Sequence, residues 1–110
     1  MCGIVATAGT RGIGADAIVA ALRHRGPDSI GSVSMSTCAL AMARLAIMDP
    51  NPRSDQPMEF AGATLVYNGE IYNFTSLRHH LEQLGHQFIT TGDTEVVLHA
   101  AVEWGVESAC

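Results

Sequence analysis

The sequence has 110 residues, enough for one domain, with eleven acidic residues against six arginines, no lysine and a net charge of −5. An acidic chain without a basic, aromatic-interleaved stripe argues against nucleic acid as a partner. The mean hydropathy of +0.18 is reached without any apolar run near the roughly 20 residues of a membrane span.

The opening Met-Cys-Gly-Ile lacks the charged and apolar regions of a secretory signal, so a cytoplasmic protein is expected. Cys2, Cys38 and Cys110 are odd in number and far apart, which predicts reduced thiols rather than a disulfide framework or a metal site. Ile4 to Ala8 is a short apolar run that predicts a buried strand entering a loop with Gly9, Gly12 and Gly14. A helix should follow, because Ile18, Ala21 and Leu22 share a face and Gly26-Pro27 is a stop signal.

From Gly31 to Met48 the pattern is β-like until Asp49-Pro50-Asn51-Pro52 breaks the chain. Ala63 to Tyr67 reads as another strand, closed by a tight Asn68-Gly69 turn in which both residues tolerate positive φ. A second helix is expected from about Asn73, with Leu77, Leu81 and Leu84 on one face and Gly85 at C′. The last runs from about Thr94 to Trp104, with Val97, Ala101 and Trp104 on a stripe, Asp93 at the N-cap and Gly105 as the end.

Cys2 is the first candidate for chemistry. Removal of Met1 would place a free α-amino group, of reference pKa about 7.7–8.0, on the residue that carries the thiol. Such an amine can take the thiol's proton and return it, without a histidine. Cysteine at position 2 is by itself more often an ordinary strand residue.

Six blocks then follow in order: Met1-Cys2-Gly3-Ile4, Arg23-His24-Arg25-Gly26-Pro27-Asp28, Arg44-Leu45-Ala46-Ile47-Met48-Asp49, Gln56-Pro57-Met58, Tyr67-Asn68-Gly69-Glu70-Ile71-Tyr72-Asn73 and Thr91-Gly92-Asp93-Thr94-Glu95. Together they resemble the class II amidotransferase domain of glutamine-hydrolysing asparagine synthetases, over nearly the whole chain. The resemblance implies Cys2 as the nucleophile on L-glutamine's side-chain amide, with Asn68 and Gly69 as the oxyanion hole. It implies Arg44 on the substrate's α-carboxylate, and Glu70 and Asp93 on its α-ammonium. A guanidinium suits a planar carboxylate, and amide donors at a turn suit a developing oxyanion. Arg25 and Asp28 are expected to brace the site. Taken singly, Asn68-Gly69 could be only a turn, Asp93 only a helix cap and Arg44 only a strand residue.

The resemblance implies an α+β fold, the four-layer αββα sandwich of N-terminal-nucleophile hydrolases. It is expected here in truncated form, because the Gly-Met-Phe-Ala-Phe and Gly-Arg-Asp blocks of the family's second half do not occur in this sequence. A synthetase domain or subunit is the implied partner, using ATP and Mg²⁺ to amidate aspartate, with no cofactor in this chain and homodimerisation left open. The alternative is a truncated, catalytically silent module that binds glutamine or another protein.

Thr7 to Gly14 also looks like the glycine loop of short-chain dehydrogenases, with Ala8 in place of the first glycine. A chain this short, without the lysine of a Tyr-x-x-x-Lys pair, does not support that rival. His79 and His80 are adjacent on a predicted helix, and His86 and His99 lie on other segments, so metal ligation is not expected. Cys38, Met35, Met42, Met48 and Met58 are read as core residues and Cys110 as incidental.

Overall fold

The computed structural model describes residues 2–9 and 15–109, with only the backbone at positions 15 and 16. The predicted glycine loop beyond Gly9 and Cys110 lie outside the described residues.

Strand β1 (Gly3–Ala8), helix α1 (Ala15–Ala21), strand β2 (Ser29–Ser34) and strand β3 (Cys38–Arg44) come first. The strands form an antiparallel sheet ordered β1-β3-β2, in which Gly3 faces Ala43 and Ser29 faces Arg44. Strand β3 is central, and five of its seven residues, Ala39 and Ala41 through Arg44, are buried. One face packs under α1: Val5, Ala39, Ala41 and Ala43 meet Val19, flanked by Ile18 and Leu22. The small alanines of β3 let the helix approach closely, and a side chain on Gly3 would run into Leu22.

The second half of the chain begins with a short 3₁₀ turn at Pro52–Ser54 and a hairpin of β4 (Met58–Phe60) and β5 (Ala63–Leu65). The two-residue turn, Ala61-Gly62, has φ of 49° and 83°, the left-handed pair that matches the twist of a hairpin. Helices α2 (Phe74–Gln83), α3 (Asp93–Trp104) and the short α4 (Val106–Ala109) complete the order. Leu81 of α2 and Val96 and Ala100 of α3 form a second core, with Phe74, Leu77, Phe88 and Trp104 packed around it. The domain is thus α+β, as the sequence predicts.

Several local expectations change. Helix α3 starts one residue earlier than read: Gly92 is its N-cap, and Asp93 is its first residue rather than the cap. The Asp93 carboxylate accepts instead from the Ile71 N–H at 3.0 Å, a long-range partner that outcompetes local capping. Neither Asn68 nor Gly69 has positive φ, and the 66–71 segment runs without a turn or bend. Its N–H groups bond to side chains from elsewhere: Tyr67 to Gln56 at 2.6 Å and Ile71 to Asp93. At Gly69 the Tyr67 ring end occupies the side-chain position: a Cβ there would lie 2.5 Å from its hydroxyl and displace the ring. Cys38 is only half-buried and Met35 is exposed, whereas Met42 is in the core.

His86 and His99, on separate segments in the sequence, meet with their Nδ1 atoms 3.0 Å apart. His86 Nε2 lies 3.1 Å from a Glu103 carboxylate oxygen, which only accepts, so it carries a proton. A neutral His86 therefore accepts at Nδ1, and His99 donates to it. His99 is sealed between the rings of Phe60 and Phe88, at centroid distances of 3.7 and 4.5 Å. Burial lowers its pKa, opposed by Glu95 and aided by His86 and Arg78. Because its folded pKa lies below the unfolded value, the unfolded chain binds the extra proton first. Stability is therefore expected to be full above the unfolded pKa of about 6.5 and to fall as pH drops below it. Thermal melts from pH 8 to 5 check this, and His99→Gln should flatten the profile.

Candidate functional site

The site gathers four segments that are remote in sequence. The alternation of β1 puts Cys2 on the sheet face away from α1, the face that also carries Ile4 and, on β3, Met42 and Arg44. The Cys2 thiol is half-buried between the backbone groups of Leu45, accepting from its N–H at 3.2 Å and donating to its carbonyl at 3.6 Å. The end of β3 is in turn fixed by the Gly26-Pro27-Asp28 block. Asp28 donates its N–H to the Arg44 carbonyl at 3.1 Å, and its carboxylate accepts from the Ala46 N–H at 2.8 Å. Asp28 therefore braces the loop that holds the thiol, whereas Arg25 is exposed.

Arg44 is 7% exposed. Its Nη1 meets Asp55 at 2.9 Å, and its Nη2 donates to the carbonyls of Met48 and Asp49 at 3.1 and 2.8 Å. Asp55 also accepts from the Ser29 hydroxyl at 2.9 Å, which fixes the carboxylate that orients the guanidinium. Three of the five N–H donors of an arginine are used in this way. Arg44 also lines the cavity that these segments enclose.

The opposite wall is the 90–94 segment. Arg78 of α2 donates to the carbonyls of Thr90 and Gly92, both at 3.0 Å, and its guanidinium lies 4.4 Å above the Phe88 ring. The buried Glu95 carboxylate accepts from the Ile89 and Thr90 N–H groups and from the Thr90 hydroxyl at 2.6 Å. Bonds to a buried carboxylate are the strong kind, so the start of α3 is held firmly. Gln56 crosses the floor, accepting from Tyr67 and donating to the Thr94 hydroxyl at 3.4 Å.

These walls enclose a cavity of about 320 Å³. Cys2, Arg44, Asn68, Gly69, Glu70 and Asp93, all six residues singled out in the sequence, line it together. Leu45, Met48, Met58 and Tyr67 supply apolar surface, and Ser54, Gln56 and Thr90 add polar atoms. The volume sits at the small end of the range for small-molecule sites, about 300–1,000 Å³. Asp49, Asp55 and Gln56 were given no role from the sequence. Two of the three do fall inside the ordered blocks, at the end of Arg44–Asp49 and at the start of Gln56–Met58. Among the described residues no group of three histidine, cysteine or acidic side chains could hold a metal ion, and no helix is long and apolar enough to cross a membrane.

Comparison with known proteins gives the arrangement a context. The family described as glutamine amidotransferase domain matches residues 1–110. The chain is 40% identical to asparagine synthetase [glutamine-hydrolyzing] 2 of Oryza sativa subsp. japonica over 97% of its own length and 19% of the relative's. It is 47% identical to asparagine synthetase [glutamine-hydrolyzing] 3 of Arabidopsis thaliana over 78% of its length and 15% of the relative's. For asparagine synthetase [glutamine-hydrolyzing] 3 of Bacillus subtilis (strain 168) the identity is 38%, over 81% and 15% of the two chains. The chain thus spans about a fifth or less of the length of these relatives. A match that runs through every wall of the cavity, from Cys2 to the start of α3, places this chain in the class II glutamine amidotransferase domain family.

Proposed function

We propose that the domain hydrolyses L-glutamine to glutamate and ammonia through a thioester on Cys2. The observation that carries this reading is the convergence of a thiol, one guanidinium and two carboxylates on one small cavity. A glutamine zwitterion needs one cation for its carboxylate and an anion for its ammonium, and Arg44 with Glu70 and Asp93 match that demand. One Asp93 oxygen holds Ile71, which leaves the other for the ammonium.

In the proposed reaction Met1 has been removed, and the freed amine of Cys2 takes the thiol proton. The sulfur attacks the side-chain amide carbon. Asn68 and the Gly69 N–H stabilise the resulting oxyanion, each such donor contributing about 3–4 kcal/mol to lowering the barrier. The amine then returns the proton to the leaving nitrogen, ammonia departs, and water attacks the thioester to release glutamate and the thiol.

By analogy with the relatives, the ammonia passes to a synthetase domain or subunit for ATP-dependent amidation of aspartate. One cationic side chain and two carboxylates suit an amino acid rather than a triphosphate. ATP and Mg²⁺ are therefore assigned to that partner, and no step in this cavity runs through them. The α+β fold described above is read as part of a four-layer αββα sandwich, and the protein as cytoplasmic.

The test is ammonia release from L-glutamine together with iodoacetamide labelling. Turnover is expected, with Cys2 alkylated in proportion to lost activity and protected by glutamine. Intact mass should show Met1 absent. A folded protein that binds glutamine without turnover would instead support the silent binding module.

A further inference from the structure

We propose that Asp49 is a positioning residue that sets the gap between Arg44 and Asp93, and so the fit of the cavity to an α-amino acid head group. The inference rests on the glutamine reading above and deepens it. Asp49 adopts φ of 45°, in the left-handed region that a non-glycine residue enters at a cost. That turn of the backbone aims its two ends at different walls. Its carbonyl accepts from Arg44 Nη2 at 2.8 Å, and its carboxylate accepts from the Thr91 N–H at 2.8 Å. The same oxygen lies 3.4 Å from Arg53 Nε, and the side chain is only 6% exposed.

Thr91 is two residues before Asp93, in the segment that Arg78 and Glu95 already hold rigid. A rigid 90–93 segment and a fixed Arg44 still leave the distance between them undetermined unless something joins them. Asp49 bonds directly to both at 2.8 Å, a shorter and tighter link than the one through Asp55 and Gln56 to Thr94 at 3.4 Å. The Thr91 N–H is also the main reason the Asp49 carboxyl is lowered to about 2, so the tie stays charged at any ordinary pH. In an α-amino acid the carboxylate and ammonium sit on one carbon, so the two recognition groups must stand at one separation to engage both at once. Loosening the tie weakens that joint recognition and leaves the thiol and the 68–70 segment in place.

The experiment measures calorimetric binding of L-glutamine and of 4-carbamoylbutyrate, which lacks the α-amino group, to the full chain in a Cys2→Ala background. Adding Asp49→Ala is expected to weaken glutamine binding about tenfold, as small misplacements at such sites do, and to weaken the deaminated analogue far less. Asp49→Asn keeps an oxygen for the Thr91 N–H and should recover most of the loss. With Cys2 intact, Asp49→Ala should raise KM much more than it lowers kcat. A merely structural role would lower the fraction of labelled Cys2 and leave Kd alone. Equal losses for both ligands, or an unchanged glutamine Kd, would overturn the proposal. Absence of turnover with retained glutamine binding counts against the hydrolase reading and leaves the binding comparison decisive for Asp49. Absence of glutamine binding overturns both.

Discussion

Cys2→Ala is expected to abolish glutamine hydrolysis, by at least about a thousandfold in kcat, as loss of a nucleophile does elsewhere. The cavity contains Cys2, whereas Cys38 sits at the start of β3 with its thiol 3.8 Å from Met35 sulfur. Among the described residues no second thiol therefore lines the cavity to substitute. Glutamine affinity should change only a few-fold, because the groups proposed to grip the substrate's head lie on other segments. Cys2→Ser should fail almost as badly, since a hydroxyl is a far weaker nucleophile than a thiol in a site built around sulfur. Ammonia release and calorimetric binding on the same preparations separate the two quantities. Retained turnover in Cys2→Ala would remove the thioester mechanism.

Gly26→Ala should cost the domain most of its stability. Gly26 is buried, and a Cβ there would overlap the backbone carbonyl of Ala43 and crowd the Arg44 carbonyl carbon. Neither obstacle can step aside: both residues belong to β3, which is paired on its two edges. A clash with backbone in a central strand belongs with the exceptional substitutions of more than about 4 kcal/mol, out of a usual total of about 5–15. The expected result is aggregated protein, or a melting midpoint lowered by tens of degrees in circular dichroism. Gly9→Ala is the control. Among the described residues no atom outside its chain neighbours lies within 4 Å of its Cβ position, and the φ of 72° opposes the change at about 1–2 kcal/mol. Similar midpoints for the two variants would refute the steric account.

The parts of this fold that follow from local pattern were legible in the sequence. Leu77 and Leu81 at helical spacing, with Gly85 at φ 99° just past the end, give α2. The apolar run at 4–8 gives β1. The meeting of Cys2, Arg44, Asn68 to Glu70 and Asp93 on one cavity was anticipated from six ordered blocks through their resemblance to the amidotransferase family, which implied a place for each of these residues around one small substrate. The uses of Asp49, Asp55 and Gln56 were not legible. Each acts through a partner 11 to 42 positions away, and hydrophobic period and turn chemistry report only on neighbours. The Asn68-Gly69 turn was misread for the same reason: a local propensity for positive φ gave way to bonds from Gln56 and Asp93. His86 and His99, thirteen positions apart, likewise meet only in the folded chain, where Phe60 of β4 stacks on His99.

The thiol is seated by Leu45, 43 positions along the chain, and Asp49 reaches Thr91 across 42. Contacts of such sequence separation are late and slow to form, since loop closure must precede them. During synthesis the cavity cannot be complete until the start of α3 has left the ribosome, so nascent chains carry no finished site. The rate at which glutamine begins to shield that sulfur from alkylation after dilution from denaturant would therefore time the final closure of the molecule.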